Sequence, residues 1–129
     1  MDRLHPFFPG LPDRWTSGAS LPGGDFPWDG ATALQSELAR RYPFLPETTA
    51  ERLIRSYGTL APDVLGDAAC WADLGGRFGA DLTAREVDYL ARNEWARTAD
   101  DILWRRGKFG LRMTEEEAAR LSAYMAGLA

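Results

Sequence analysis

The stretch 93–106, NEWARTADDILWRR, holds the densest group of side chains that could do chemistry. It contains two tryptophans, three acids and three arginines. Asp100 and Asp101 could form a carboxylate pair for acid–base or metal chemistry. Adjacent residues of a helix, however, point about 100° apart and do not converge on one atom. Both acids therefore fit better as partners of the positive N-terminal end of a helix dipole.

The arginines of this stretch could instead bind an anion, but the nearby acids would neutralise such a site. We favour a structural helix corner, in which Trp95 and Trp104 close the junction of two helices. The charged side chains then bond to one another or to loop carbonyls, and the spacing of Asp101 and Arg105 predicts an ion pair. The predicted corner comprises Glu94, Trp95, Arg97, Thr98, Asp101, Trp104, Arg105 and Arg106, and the anion-site alternative rests on Arg97, Arg105 and Arg106.

Cysteine and histidine offer little further chemistry, because Cys70 and His5 are the only residues of their types. A disulfide within the chain and a metal cage of Cys and His ligands are both excluded. A nucleophilic Cys70–His5 pair is conceivable, but a small buried thiol is the expected state of Cys70. No metal site is predicted.

Nucleotide and nucleic-acid sites are also disfavoured. Gly76-Arg77-Phe78-Gly79 matches a GxxG phosphate grip, which requires a sheet and a basic setting, so we expect a glycine-rich turn here. Neither a G-x-G-x-x-G motif nor a P-loop occurs. The net charge of −4 argues against a nucleic-acid module.

The elements that must position these residues follow helical periodicity. Apolar spacing predicts helices over 31–42 and 46–57, which Pro43 and Gly58 end. Residues 59–82 are expected to form short helical turns and a loop.

Three further helices are predicted to begin at capping boxes, because in each case a threonine precedes an acid by three residues. No stretch alternates long enough to predict a strand. The predicted fold is all-α, a small bundle of about five helices over residues 30–129. The three boxes are Thr83 with Glu86, Thr98 with Asp101, and Thr114 with Glu117.

Residues 1–29 differ from the rest, because they are dense in proline and glycine yet rich in aromatic side chains. Proline prevents helices and central strands, while a flexible linker would be polar. We predict an extended arm that lies against a surface covering its aromatics, with contacts to another domain. The candidates for these contacts are Phe7, Phe8, Trp15, Phe26 and Trp28.

Several short strings then resemble one enzyme family. NEWARTADDILWRRGKFGL at 93–111 is similar to the end of the FAD-dependent (aerobic, quinone-linked) glycerol-3-phosphate dehydrogenases. The resemblance extends over nearly the whole chain. It also includes Trp15-Thr16, Leu21-Pro22-Gly23-Gly24, Arg41-Tyr42-Pro43, Tyr57-Gly58 and Asp73-Leu74-Gly75.

The resemblance implies a C-terminal helical domain separated from its catalytic body. The family oxidises sn-glycerol 3-phosphate to dihydroxyacetone phosphate, with hydride passing to FAD and electrons to a quinone. Its flavin-binding and substrate-binding residues lie upstream, so no catalytic or cofactor-binding residue is assigned here and the chain alone is expected to be inactive. The implied partners are the upstream FAD and substrate domain and, in a homo-oligomer, further copies of the chain.

The resemblance also implies a cytoplasmic enzyme that is peripheral to the inner membrane. The sequence agrees in containing neither a signal peptide nor an apolar run of about 18 residues. A second interpretation is an autonomous helical adaptor that binds a partner protein or acidic ligand through Arg77, Arg85 and Arg92. Arg85 and Arg92 are seven residues apart and share a helix face.

Overall fold

The computed structural model describes residues 6–8, 10 and 15–128, and in them the chain is mainly α-helical. No helix among these residues is long and apolar enough to cross a membrane. Five α-helices follow in chain order: α1 Ala31–Arg41, α2 Glu47–Tyr57, α3 Ala61–Leu65, α4 Ala84–Asn93 and α5 Glu115–Ala126. Shorter segments connect them: 3₁₀ turns at Gly58–Leu60, Trp71–Leu74 and Phe109–Leu111, and a π-helix at Asp101–Arg106. The predicted helical bundle is confirmed.

A small antiparallel hairpin was not predicted. Strands β1 (Arg77–Gly79) and β2 (Leu82–Thr83) pair around a two-residue loop. Both loop residues, Ala80 and Asp81, have positive φ, as in the tight turns whose twist matches that of a hairpin. The GxxG segment thus forms the first strand of a hairpin rather than a turn between helices.

The three predicted capping boxes have different outcomes. The Thr114–Glu117 box is complete, because each side chain bonds to the other residue's backbone N–H. At Thr98, only the acid makes its capping hydrogen bond: the Asp101 carboxylate accepts from the Thr98 N–H at 2.9 Å. At Thr83, the hydroxyl accepts from the Glu86 N–H, but the predicted return bond from Glu86 is wrong because its side chain turns into the core.

One continuous hydrophobic core joins all five helices and the hairpin. Leu53 of α2, Val87 of α4 and Leu121 of α5 are nearly inaccessible to solvent. Helices α1 and α2 pack side by side, and α5 lies against β1. Side chains of α2 and α4 meet at this core, with the rings of Tyr57 and Tyr89 5.6 Å apart, and these two helices carry the site described below.

The segment 15–30 contains neither helix nor strand and consists largely of turns. Its most buried attachment is Gly23, whose carbonyl accepts from the Thr59 N–H at 3.1 Å, and the Thr59 hydroxyl also donates to the Asp25 carboxylate. Gly23 (φ +80°) and Gly58 (φ +55°) press backbone against backbone, so a Cβ on either would collide with the other segment. The Leu21-Pro22-Gly23-Gly24 turn thus packs against Tyr57-Gly58. These two segments both belong to the family resemblance, and the structure brings them into contact.

Candidate functional site

A buried ion pair between α2 and α4 is the most constrained group of polar side chains in the described residues. Arg52 holds Glu86 with both terminal nitrogens, at 2.7 and 2.8 Å. The Tyr57 hydroxyl donates to the same carboxylate at 2.8 Å. Glu86 is 2% exposed, and the Arg52 guanidinium lies 5.1 Å from the centre of the Phe109 ring. Such a two-pronged pair is geometrically specific and fixes how α2 and α4 meet.

Burial and neighbouring charges both shift the pKa values of Arg52 and Tyr57. Burial opposes the charge on Arg52, but the hydrogen bond and negative charge of Glu86 outweigh it and raise the arginine's pKa. Burial raises the pKa of Tyr57, and the neighbouring carboxylate raises it further. The arginine is therefore a permanent cation and the tyrosine a permanent hydrogen-bond donor, so neither is suited to exchange protons near neutral pH.

A surface groove opens directly above this ion pair, with a volume of about 500 Å³. We call it the basic groove. Apolar side chains, among them Leu90 and Phe109, also line it. Its charged lining residues are Arg52, Arg55, Arg106, Lys108 and Arg112, with Glu86 and Glu94 as the acids.

Residues 94–100 connect α4 to the π-helix, but the two tryptophans do not close this junction. Trp95 is 75% exposed and Trp104 45% exposed, so the prediction that two indoles fill the junction is wrong. Trp95 takes a positive φ of 54°, and the Ala96 N–H bonds back to the Leu90 carbonyl. This turn places the small Ala96 in the core and points the indole of Trp95 outward.

The charged residues of the corner bond largely as predicted. Arg105 pairs with Asp101 at 2.6 Å, which confirms the expected ion pair. The Arg106 Nε donates to the Glu94 carbonyl at 2.9 Å, a bond to a loop carbonyl of the predicted kind. Backbone N–H groups of Arg97 and Thr98, followed by Arg105, hold the pKa of Asp101 well below its usual range. Because Arg105 and Arg106 are engaged separately, the three arginines do not form the alternative anion site.

The arginines of the adaptor interpretation are dispersed. Arg85 donates to the Leu65 carbonyl and to Asp67, at 2.7 and 2.9 Å. Arg85 and Arg92 line one groove, as their spacing predicted, but Asp63, Asp73 and Asp88 line it too. Arg77 instead stacks on Trp71, 4.6 Å from the ring centre. This face is therefore not a concentrated basic surface.

Cys70 is exposed, so the prediction of a buried thiol is wrong. The Asp73 carboxylate accepts from the N–H groups of Ala69 and Cys70, which keeps this segment at the surface as the start of a 3₁₀ turn. His5 lies outside the described residues, as does any pairing with it. Among the residues that the structure describes, no group of His, Cys, Asp and Glu could hold a metal ion.

Comparison with known proteins decides the family. Residues 15–128 match the model of the C-terminal domain of alpha-glycerophosphate oxidase. The chain belongs to this family. It is 44% identical over 125 residues to a glycerol-3-phosphate dehydrogenase of Pseudomonas aeruginosa, a match that covers 97% of the chain. It is 38% identical, over the same share, to the aerobic glycerol-3-phosphate dehydrogenase of Escherichia coli.

A relative with a different name is equally similar. The D-erythritol 1-phosphate dehydrogenase of Brucella abortus is 40% identical over 119 residues, 92% of the chain. The chain spans only about a quarter of the length of these relatives: 24%, 25% and 24% in the order given. The resemblance to glycerol-3-phosphate dehydrogenases is thus confirmed at the level of the C-terminal domain.

Within this glycerophosphate oxidase domain, most of the predicted contact residues of the arm are at the surface. Four of them are more than half exposed: Phe7, Phe8, Trp15 and Trp28. Phe26 differs, because it is half-buried and its ring lies beside Gly30 and Gly58. Phe26 therefore helps to dock the arm on the domain, while the other four rings remain free for another surface.

The buried ion pair was missed from the sequence, and its two charged members give only weak signals. Arg52 immediately precedes the apolar pair Leu53 and Ile54 of α2, at the edge of the buried face, where a long cationic side chain is commonplace. Glu86 occupies the third position of α4, where the sequence pattern predicts a capping acid rather than a buried partner of an arginine. Their pairing across 34 residues is a tertiary feature without a local pattern.

Proposed function

We propose that this chain is the C-terminal accessory domain of an FAD-dependent dehydrogenase that oxidises sn-glycerol 3-phosphate to dihydroxyacetone phosphate and passes electrons through FAD to a quinone. The observation that carries the proposal is the share of each sequence that the alignments cover. The relatives match nearly all of this chain, whereas the chain matches only a quarter of each relative. A domain of this kind has an upstream catalytic body to support.

In this proposal the domain acts by packing. The side chains of Trp15 and Trp28 are 64% and 95% exposed. Large aromatic side chains that are exposed together often mark a contact surface. The arm that carries them is fastened to the domain at Gly23. It therefore presents its rings from a fixed point, and the upstream domain is the partner that we expect to cover them. Contacts of this kind could also join copies of the enzyme.

The described residues do not form the structural unit that is typical of an FAD site. A dinucleotide site needs a βαβ unit with a glycine-rich turn at the start of its helix. The strands in the described part of the chain are three and two residues long and pair as a hairpin. We therefore place the cofactor and the reacting groups upstream, and we expect the isolated chain to be inactive. The parent enzyme would act in the cytoplasm, peripheral to the inner membrane.

Reconstitution tests this proposal. The upstream part of the Pseudomonas aeruginosa relative would be produced without its C-terminal domain and mixed with the 129-residue chain. We expect glycerol 3-phosphate to reduce the flavin faster, or the flavin protein to survive heating longer, when the chain is added. A yellow, flavin-containing preparation of the chain alone would contradict the proposal, as would turnover by the chain alone.

The Brucella relative supports a second candidate substrate, D-erythritol 1-phosphate. Both candidate substrates are polyol phosphates, so the general type of reaction is the same. Parallel assays of the enzyme containing this chain, with glycerol 3-phosphate and erythritol 1-phosphate at equal concentrations, separate the two. A higher kcat/KM for erythritol 1-phosphate would replace the first candidate by the second.

The adaptor interpretation would require this chain to bind another protein without any catalytic partner. The acids that share a groove with Arg85 and Arg92 give it little support. Size-exclusion chromatography of the chain with and without the upstream part distinguishes the two interpretations. A complex with the upstream part favours the accessory domain.

A further inference from the structure

The basic groove concentrates positive charge in a chain whose net charge is −4. Five basic and two acidic side chains line it. Arg52 is neutralised by Glu86, and Arg106 lies 3.9 Å from the Glu94 carboxylate. The remaining three cations, Arg55, Lys108 and Arg112, also face the groove.

The charges of these three cations are compensated weakly or not at all by the described residues. Arg55 lies 3.8 Å from Glu51 one helical turn away, but both side chains are more than half exposed, and such pairs contribute little. The Lys108 ammonium donates to the Trp104 carbonyl at 2.6 Å, an acceptor without net charge. Arg112 is exposed and forms no ion pair with the described residues, and it shares a second, neighbouring groove with Arg55 and Glu51.

The backbone at Lys108 has an unusual conformation, and the residue that follows it is buried in the core. Lys108 has a φ of 140°, which a residue with a side chain seldom adopts. The next residue, Phe109, is buried beneath the Arg52 guanidinium and anchors the loop. Strained backbone of this kind is often found at ligand sites. The loop is thus fixed by the core while its ammonium group remains at the groove.

We propose that the basic groove binds a small phosphate-bearing metabolite, with the phosphate group between Arg55, Lys108 and Arg112. Two guanidinium groups and one ammonium group carry three positive charges, more than enough to neutralise a phosphate dianion, and supply several hydrogen-bond donors. The apolar side chains of Leu90, Phe109 and Leu111 also line the groove and can contact the organic part of the ligand. A volume of about 500 Å³ lies within the usual range for small-molecule sites.

This site goes beyond the proposed function, because the reacting groups of the enzyme are placed upstream. It would be an accessory site, formed wholly by the C-terminal domain. Its ligand would be a soluble phosphate compound, and the phosphate group of a lipid headgroup is the competing source of the same chemistry.

NMR titration of the ¹⁵N-labelled 129-residue chain with inorganic phosphate tests the proposal. Ionic strength is held constant with sodium chloride. We expect saturable shifts of the amide signals of Gly107, Lys108, Phe109 and Arg112. Arg112→Gln should weaken binding about threefold and the Arg55→Gln/Arg112→Gln double variant about tenfold, since each exposed charge contributes a modest and nearly independent part of the affinity.

Arg40→Gln is the matched control, because it removes the same charge from an exposed position of α1 that lies outside the groove. Its phosphate affinity should equal that of the wild type. Equal losses in Arg40→Gln and Arg112→Gln, or linear shifts spread over all basic residues, would overturn the proposal. So would binding to phosphatidylglycerol vesicles without any saturable response to inorganic phosphate. Native-like circular dichroism of each variant ensures that these outcomes report on binding rather than folding.

Discussion

The arm, of which residues 15–29 are described without gaps, and the helical body at 30–128 contain similar aromatic residues in largely different environments. In the body, aromatic rings meet in pairs, such as Tyr57 with Tyr89 at 5.6 Å and Phe78 with Tyr124 at 5.1 Å between centres. In the arm, the indoles of Trp15 and Trp28 are largely exposed. The body thus buries most of its aromatic rings wholly or in part, with Trp95 and Trp104 as exposed exceptions, whereas the arm leaves both of its indoles uncovered.

This difference indicates which part of the chain depends on a partner. A buried aromatic ring contributes to the stability of the isolated domain, whereas an exposed one contributes only when another surface covers it. The body is therefore expected to fold by its own core, and the arm to serve the contact with the upstream domain. The predictions below test this division, beginning with the largest effect.

Phe78→Ala and Trp28→Ala should separate the two regions most clearly. Phe78 is 7% exposed, so its truncation should lower the free energy of unfolding by about 3–5 kcal/mol. Trp28 is 95% exposed, so its truncation should change that quantity by less than about 0.5 kcal/mol. Urea unfolding followed by circular dichroism measures both. A large loss in Trp28→Ala would show that the arm belongs to the core of the isolated chain.

Glu86→Gln should reveal the internal ion pair of the body. The substitution nearly preserves the shape of the side chain but leaves the buried Arg52 with only Asp81, 3.8 Å away, as a counter-charge, which should cost about 3 kcal/mol of unfolding free energy. Glu51→Gln is the matched control on the exposed Glu51–Arg55 pair, and less than about 1 kcal/mol is expected there. Similar losses in the two variants would contradict the role given to burial.

Gly23→Ala should loosen the closest backbone contact between the arm and the body. A Cβ at this positive φ would strike the Tyr57 carbonyl, and the left-handed conformation itself costs about 1–2 kcal/mol. Amide exchange at Thr59, whose N–H bonds to Gly23, should become faster. Gly18→Ala is the control, because a Cβ there meets only ordinary contacts. Unchanged exchange at Thr59 in Gly23→Ala would show that the attachment does not depend on this turn.

Asp101→Asn should give the smallest effect, which depends on pH. The folded-state pKa of Asp101 lies below that of the unfolded chain. The resulting stabilisation is therefore present above about pH 4 and is lost as the pH falls through the lower, folded value. The wild type should unfold at a higher temperature than the variant at pH 7, and the gap should narrow toward pH 2. A gap that widens in acid would contradict this assignment.

The sequence predicted those parts of the fold that depend on local pattern. The spacing of Leu34 and Leu38 in α1 and the Thr114–Glu117 box of α5 are local, and both were identified correctly. The hairpin was missed because its loop uses Ala80 and Asp81 in left-handed conformations that glycine or asparagine would normally signal.

The candidate site was less predictable, because tertiary contacts form it. Glu86 satisfied a capping pattern, but the opportunity to pair with Arg52 and Tyr57 drew its side chain inward. Trp95 was expected inside because it is large and apolar. The turn at that residue places Ala96 in the core instead, since a small side chain fits the close approach of the two helices. Side-chain size alone did not indicate which residue of the corner is buried.

The most direct test of the central claim is hydroxyl-radical footprinting of the arm tryptophans, read by mass spectrometry. The 129-residue chain would be oxidised alone and with a saturating amount of the upstream part of the Pseudomonas aeruginosa relative. Trp104, partly exposed and outside the arm, is the internal reference. The account predicts that oxidation of Trp15 and Trp28 falls severalfold in the mixture while that of Trp104 changes much less. Undiminished oxidation of both arm tryptophans in a mixture shown to form a complex would contradict it.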